Sequence, residues 1–224
     1  MAKEYNEYGE LILEGTYLNG KLNGKAKKFD KYNGEIIYEN EYLNGEKNGK
    51  GKEYHRNGCL KFKGEYLNGK RNGKGKEYNY NGKLIVFEGE YKNGKRNGKG
   101  KEYYDNGKVK FKGEYLKDKR WEGKGYDASN HIIYELKDGK GLIKEYNDED
   151  KLIYEGEYLN GERNGKGKEY YILNGKLIFE GEYLNGKRNG KGKEYGWNGI
   201  LMFEGEYLNN ERFLTGLDSI TKII

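Results

Sequence analysis

Apolar and polar residues alternate in short runs along most of this chain. In residues 60–67, the apolar Leu60, Phe62 and Tyr66 occupy alternate positions, and charged residues stand between them. A period of two is typical of a β-strand with one apolar face. Asn-Gly pairs such as Asn57-Gly58 separate the runs, and this dipeptide is the strongest short signal for a β-hairpin turn. The pattern therefore predicts consecutive antiparallel hairpins.

The hairpin pattern recurs at almost constant spacing. The tyrosine of the Gly-Glu-Tyr motif and its variants marks successive units 24 or 25 residues apart, except for a gap of 43 residues between Tyr115 and Tyr158. This gap contains one shortened unit, so residues 117–153 are interpreted as a degenerate repeat. Residues 1–208 then form an array of about nine repeats. The degenerate unit is open to three interpretations: decay, a kink in the array, or a specialised docking point.

The turn at Asn57-Gly58 predicts which residues face each other. A two-residue turn would pair residues 56 and 59, and this register places Phe62 opposite Glu53, Gly64 opposite Gly51 and Tyr66 opposite Gly49. A large ring then covers bare glycine backbone, which compensates for glycine inside a strand. The 25-residue units carry one extra residue near this turn, and we expect a bulge or a longer turn there.

The repeats together predict an all-β fold: an elongated, single-layer antiparallel β-meander of stacked hairpins. Such an array needs a cap, because its last strand exposes unpaired main-chain groups. Residues 209–224 depart from the repeat and place apolar residues at helical spacing. We interpret this segment as a short C-terminal capping helix. A homodimer contact through the same segment is the alternative.

Composition limits the nature of the core and the location of the protein. Only 33% of the residues are hydrophobic, but the chain contains 24 Tyr, 7 Phe and 37 Gly, so the core must consist mainly of aromatic rings. The single cysteine and the lack of an apolar signal segment predict a cytoplasmic protein. The net charge of +6 is mild and mixed with acidic residues, which disfavours nucleic acid as a ligand.

The repeat motif resembles a known family. The motif formed by Phe62, Gly64, Tyr66, Gly69 and Gly73 recurs along the chain. It resembles the MORN (membrane occupation and recognition nexus) repeat, and its sequence is close to the YwqK-like variant of that repeat. The resemblance implies a single-layer β-sheet, no intrinsic catalysis, and a scaffold that binds protein segments along an aromatic groove. It also implies dimerisation or proximity to membranes in some members, with lipid binding as the weaker implication.

The chain offers few groups for catalysis or metal binding. Asp127, Ser129 and His131 lie close together in sequence, but alternate residues of one strand cannot form a relay, and a polar loop is the simpler interpretation. His55 and Cys59 flank a turn, and two ligands do not make a zinc site. We therefore expect no enzyme activity, no cofactor and no metal.

Two surface features remain as candidate sites. The first is a ladder of tyrosines on one sheet face, which could either bind a protein or peptide partner or simply form the core. It comprises Tyr42, Tyr66, Tyr91, Tyr115, Tyr158, Tyr183 and Tyr207.

The second feature is a row of cationic residues predicted in the loops, which would bind a polyanion such as anionic phospholipid. It comprises Lys70, Arg71, Lys95, Arg96, Arg163, Lys187 and Arg188. A protein scaffold is the first functional hypothesis, and peripheral binding to an anionic membrane surface is the alternative. A location at a membrane or the cytoskeleton is compatible with either hypothesis.

Overall fold

The computed structural model describes residues 1–213, and its regular secondary structure consists of β-strands. The chain divides into two compact units, Met1–Asp118 and Lys119–Ile224. In the first unit the strands are β1 (Ala2–Tyr5), β2 (Leu11–Leu18), β3 (Lys21–Phe29), β4 (Ile36–Leu43), β5 (Glu46–Tyr54), β6 (Leu60–Leu67), β7 (Lys70–Tyr78), β8 (Ile85–Lys92), β9 (Lys95–Tyr103) and β10 (Val109–Leu116). Each strand pairs with its neighbours in sequence, as a meander requires.

The second unit continues the same hairpin pattern. Its strands are β11 (Lys119–Tyr126), β12 (Ile132–Leu136), β13 (Gly141–Tyr146), β14 (Leu152–Leu159), β15 (Glu162–Tyr170), β16 (Leu177–Leu184), β17 (Lys187–Tyr195), β18 (Leu201–Leu208) and β19 (Glu211–Phe213). Strand β11 pairs with β12, and β13 to β19 form a seven-stranded antiparallel sheet. The all-β hairpin architecture predicted from the sequence is confirmed.

The predicted register is also confirmed, although the turn that produces it differs. Between β5 and β6, Glu53 lies opposite Phe62, Gly51 opposite Gly64 and Gly49 opposite Tyr66. The loop itself has three residues, because the His55 N–H donates to the Cys59 carbonyl, and a bulge follows between Glu53 and Tyr54. The extra loop residue and the bulge cancel, so the pairing farther along the strands is unchanged.

The sheet is not continuous through the degenerate repeat. Between β12 and β13 the described residues form only one isolated bridge, from Lys137 to Lys140. Leu136 and Ile143 occupy the positions of the facing glycines Gly64 and Gly75 in a regular hairpin. Both side chains are buried, so two positions that carry glycine in a regular hairpin hold larger apolar groups here. The predicted meander of hairpins is therefore interrupted within the degenerate repeat.

The C-terminal prediction is only partly within the described residues. Residues 209–213 form a turn and the short strand β19, which pairs with β18, so the capping helix predicted to start at residue 209 is wrong over these residues. Main-chain pairing with the edge of β18 prevails there over the helical spacing of apolar side chains. Residues 214–224 lie outside the described part of the chain.

Hydrogen bonds between successive turns fix the spacing of the repeats. The main-chain N–H of the second turn residue donates to a carbonyl two strands earlier, as Gly69 does to Lys47 and Gly94 to Arg71, at 2.9 and 2.8 Å. The same link occurs in the second unit, where Gly186 donates to Arg163 at 2.9 Å. The left-handed conformation of these turns, with φ near +50° at the Asn, favours the Asn-Gly pair.

Candidate functional site

One sheet face carries interlocked aromatic rings, which we call the aromatic ladder. In the first unit, Phe62, Phe87 and Phe111 are fully buried, and each contacts a neighbouring tyrosine edge to face. Phe87, for example, lies 5.7 Å from Tyr91 and 5.1 Å from Tyr115 between ring centroids. In the second unit the ladder comprises Tyr154, Tyr158, Phe179, Tyr183, Phe203 and Tyr207. The rings link successive hairpins into one core within each unit.

Arginine and glutamate side chains cover this ladder. The guanidinium carbon of Arg71 lies 3.9 Å from the centroid of Phe62, and that of Arg96 lies 4.1 Å from the centroid of Phe87. Arg71 also bridges Glu53, at 2.6 Å, and Glu77, at 3.2 Å. Arg96 continues the chain of ion pairs from Glu77, at 2.5 Å. We call this alternation the Arg–Glu ladder.

The second unit contains the same arrangement. Arg163 joins Glu145 at 2.8 Å to Glu169 at 3.3 Å, and Arg188 pairs with Glu169 at 2.5 Å. These side chains are about one-fifth to one-quarter exposed, so solvent weakens the pairs less than at an open surface. Each arginine thus connects two successive repeats as well as covering a ring.

Tyrosine hydroxyls complete the Arg–Glu ladder. The hydroxyl of Tyr66 donates to Glu53 at 2.6 Å, and that of Tyr91 donates to Glu77 at 2.8 Å. Burial and the neighbouring carboxylate both raise the pKa of Tyr66. Partial burial would raise the pKa of Glu53, but the hydrogen bonds from Arg71 and Tyr66 outweigh it and hold that pKa below its usual value.

This balance predicts that the protein loses stability in acid. A carboxylate whose pKa is lower in the folded state stabilises the fold above its unfolded pKa, and the contribution disappears as the pH falls through the folded pKa. The pKa of Glu145 is likewise lowered, since hydrogen bonds from Arg163 and Tyr158 outweigh the effect of burial. We expect the free energy of unfolding, measured with urea, to fall steadily below about pH 5. Glu53→Gln should reduce this dependence, and an unchanged pH profile in that variant would contradict the assignment.

The structure places the predicted tyrosines inside this core. Tyr42, Tyr66, Tyr91, Tyr115, Tyr183 and Tyr207 are at most 7% exposed, and Tyr158 is half-buried. A partner could contact the six buried rings only by displacing the side chains that cover them. Direct binding of a partner by the tyrosines therefore stays a prediction, and their observed contacts are those of a core.

The cationic residues divide into two groups. Arg71, Arg96, Arg163 and Arg188 lie in strands, over aromatic rings and between glutamates, rather than in projecting loops. The lysines Lys70, Lys95 and Lys187 are exposed at the starts of β7, β9 and β17. The sequence contained a signal for this pairing. Arg71 follows Glu53 by 18 residues, and Arg163 follows Glu145 by the same number.

A second structural role belongs to the glutamate of Gly-Glu-Tyr. Glu65 accepts the main-chain N–H of Lys74 at 3.0 Å, next to Gly73, whose φ is +90°. Glu182 accepts the N–H of Lys191 at 3.1 Å in the same way. These bonds satisfy a donor at each strand irregularity, so this glutamate is a structural part of the repeat.

Tyr154 differs from Phe62, Phe87, Phe111 and Phe179, which occupy the same position in other repeats. Its side chain is fully buried, and its hydroxyl has no hydrogen-bond partner among residues 1–213. A buried unpaired hydroxyl destabilises a fold, because it has lost its bonds to water. We expect Tyr154→Phe to raise the free energy of unfolding by about 1 kcal/mol in urea denaturation. Tyr183→Phe is the matched control and should lower it, since that hydroxyl donates to Glu169 at 2.8 Å; a loss of stability in Tyr154→Phe would contradict the assignment.

The opposite face of the second unit contains an open groove. Its volume is about 890 Å³, and it runs along β12 to β18. The lining side chains Lys166 and Lys168 flank Gly167 in the sequence. A Cβ built at Gly167 would meet the ring of Tyr154 on the other face of the sheet. Lysines and glutamates alternate across the groove, and Lys166 lies opposite Glu182 in the register.

Apolar side chains line one end of this groove. Leu142 is 74% exposed, and Ile133, which also lines the groove, is half-buried. Leu142 stands at the position that carries lysine in regular repeats, such as Lys166 and Lys191. The sequence reasoning missed this site, although the single Lys-to-Leu departure at residue 142 was a signal for it.

The described residues also bear on membranes and metals. No helix long and apolar enough to cross a membrane occurs among them. Within residues 1–213, no cluster of His, Cys, Asp or Glu side chains is arranged to hold a metal ion. Asp127 accepts hydrogen bonds from the main-chain N–H groups of Ser129 and His131, which is the geometry of a polar loop.

These features define a repeat protein of stacked β-hairpins with a shared aromatic core. The family model for the MORN repeat matches residues 14–30, 38–60, 62–83, 87–109, 154–172 and 179–199, which is more than half of the chain. The chain belongs to the MORN repeat family. MORN repeats are in general protein- or membrane-interaction repeats. The comparison with curated proteins found no match.

Proposed function

We propose that this protein is a non-enzymatic scaffold that binds a segment of a partner protein in the groove of the second unit. The observation that carries the proposal is the exposed Leu142 at the end of a charged groove. A large apolar side chain exposed in a concave site is typical of a protein contact.

The chemistry of the groove suggests what the partner segment contains. Leu142 and Ile133 would accept an apolar side chain, and the lysines and glutamates along the strands would pair with charges of both signs. The Arg–Glu ladder and the aromatic ladder support the floor of the groove from the other face. The tyrosines would thus contribute to binding by keeping the sheet rigid.

Binding of a polyanion is the weaker hypothesis. Four arginines of the predicted cationic row are already paired with glutamates, so a phosphate group would compete with an existing ion pair. The exposed lysines Lys70, Lys95 and Lys187 remain as candidate contacts. The exposure of these three lysines does not by itself favour binding of a phosphate over contact with water.

Leu142→Lys tests the proposal. The variant restores the residue type of the regular repeats, and the new lysine would face Glu157 as Lys166 faces Glu182, so the sheet should remain intact. We expect the affinity for a protein partner captured by the unmodified chain to fall about tenfold or more, because an apolar anchor is lost.

Leu208→Lys is the matched control for this experiment. Leu208 is 51% exposed, faces Glu211 across the hairpin and lies outside the groove. Leu208→Lys therefore introduces the same charge as Leu142→Lys, and in both variants the new lysine lies opposite a glutamate. Calorimetric titration of the captured partner against the unmodified chain and both variants measures the effect. Equal affinity for all three proteins would exclude the groove as the binding site.

A further inference from the structure

The charge order of the Arg–Glu ladder changes at β3 and β4 of the first unit. Lys28 lies opposite Tyr38 in the pairing of β3 with β4, as Glu53 lies opposite Phe62 in the pairing of β5 with β6. Side chains alternate along a strand, so Lys28 faces the aromatic side of the sheet, as Glu53 does. A cation therefore stands at a position that carries a carboxylate in the following repeat.

A second cation lies beside this position. Lys47 occupies the position that Arg71 has in the next repeat. Its Nζ lies 3.8 Å from the centroid of the Tyr38 ring, and Tyr38 is the residue opposite Lys28. Among residues 1–213, the side chains of Lys28 and Lys47 form no ion pair. Two cations thus lie beside one tyrosine ring without a carboxylate paired to either.

The electrostatics of Lys47 show that its neighbourhood is cationic. Burial is the largest influence and lowers the pKa of Lys47. Among the charged neighbours, Arg71 and Lys28 lower this pKa further, and Glu53 raises it. Lys28 and Lys47 are therefore close enough to repel each other, and an anion between them would relieve this repulsion.

A buried tyrosine supplies a third donor. Tyr42 is the counterpart of Tyr66, whose hydroxyl donates to Glu53 at 2.6 Å. Within the described part of the chain no carboxylate accepts a hydrogen bond from Tyr42, and the neighbour of its hydroxyl is Tyr38 instead. Burial raises the pKa of Tyr42, so its hydroxyl keeps its proton at neutral pH and can donate it to an anion.

Asn40 leaves this part of the aromatic face accessible. A Cβ built at Gly75 would meet the ring of Phe62, but one built at Gly51 would meet the amide of Asn40. Asn40 thus takes the space over the main chain that a ring fills in the next repeat. Tyr38 is accordingly half-buried, whereas Phe62 is fully buried. A ligand can therefore approach Tyr38 and the two lysines from solvent.

We propose that the first unit binds a carboxylate group between Lys28, Lys47 and the hydroxyl of Tyr42. The group would lie beside Tyr42 as Glu53 lies beside Tyr66, and would accept hydrogen bonds from two ammonium groups and one hydroxyl. Such charge-assisted hydrogen bonds are about twice as strong as neutral ones. A glutamate or aspartate side chain of a partner protein and a small organic acid would supply the same group. This site lies in the first unit and does not depend on the groove of the second.

A titration of the full chain, labelled with ¹³C in its tyrosine rings, tests the proposal by NMR. The probes are sodium acetate and glutamate with blocked α-amino and α-carboxyl groups, and sodium chloride keeps the ionic strength constant. We expect both probes to shift the ring signals of Tyr38 and Tyr42 with a saturating curve, more tightly than inorganic phosphate does. Tighter binding of the blocked glutamate would support a side chain of a partner as the ligand, and tighter binding of acetate would support a small acid.

Lys28→Glu provides the decisive variant, because it places a carboxylate of the chain itself at this site. The affinity for both probes should fall about tenfold or more, since a charge-assisted donor is lost and a like charge is introduced. Lys63→Glu is the matched control. Lys63 is exposed on the other sheet face, opposite Lys52 and Lys76, and its position carries glutamate in the next repeat, as Glu88.

The control variant should bind both probes as the unmodified chain does, because it changes the net charge equally without touching the site. Three results would each overturn the proposal: signal shifts that do not saturate, tighter binding of phosphate than of either carboxylate, or equal loss of affinity in Lys28→Glu and Lys63→Glu. Circular dichroism of both variants checks that the sheet is retained.

Discussion

Replacement of Phe87 by alanine should cost about 3 to 5 kcal/mol of unfolding free energy. Phe87 is fully buried, contacts Tyr91 and Tyr115 edge to face, and lies beneath the guanidinium of Arg96. The substitution removes the ring and leaves a cavity between two hairpins. The neighbouring strands cannot close this cavity without breaking the main-chain hydrogen bonds between them. Denaturation in guanidinium chloride, followed by circular dichroism, measures the loss.

Leu67→Ala is the control for Phe87→Ala. Leu67 is also an apolar residue of a central hairpin, but 47% of its surface is exposed and it lies at the end of β6. Its truncation should cost less than about 1 kcal/mol. A loss at Phe87 as small as that at Leu67 would show that the aromatic ladder does not carry the stability of the unit.

Replacement of Gly89 by alanine should cost about 3 kcal/mol, at the upper end of the range for overpacked cores. A Cβ at this position would lie 2.7 Å from Cα of Gly100 and 2.7 Å from the carbonyl oxygen of Lys99. Both atoms belong to the main chain of the facing strand, which cannot move aside without disturbing its hydrogen bonds. The ring of Phe87 also occupies this space, at 2.8 Å. Thermal and chemical unfolding of the variant give the loss.

Gly94→Ala separates this steric effect from the general cost of replacing glycine. No atom lies within 4 Å of a Cβ built at Gly94, although its φ of +86° disfavours alanine. We therefore expect a loss of about 1 to 2 kcal/mol from backbone strain alone. If Gly89→Ala is no more destabilising than Gly94→Ala, close approach of the strands is not the reason for glycine in these repeats.

The local pattern of this sequence was sufficient for the register. The Asn-Gly turns and the period of two placed Phe62 opposite Glu53 and Tyr66 opposite Gly49, and the structure has the same pairs. Register is a local property of a hairpin, because turn length and alternation together restrict it. The number of residues in the loop could not be read in the same way, since a bulge and an extra loop residue give an identical register beyond them.

The role of the arginines could not be read from local pattern. Arg71 follows a turn in the sequence and was assigned to a cationic row, but it lies on the sheet face between Glu53 and Glu77. Glu53 belongs to the preceding repeat, and its distance from Arg71 depends on how two hairpins pair. The position of Leu142 in a groove depends in the same way on the strands from β14 to β18.

The sequence by itself determined the hairpin repeat, the register within each hairpin and the aromatic character of the core, because these follow from turn chemistry and from alternation along a strand. Tertiary structure alone decided that arginines cover the rings, that the tyrosine hydroxyls donate to glutamates and that the sheet is interrupted between β12 and β13. These features depend on side chains from different repeats, whose distances are set by pairing between strands. The physical reason is that the geometry of a hairpin is local. The covering of rings by arginines, the pairing of charges and the formation of a groove require side chains from several hairpins.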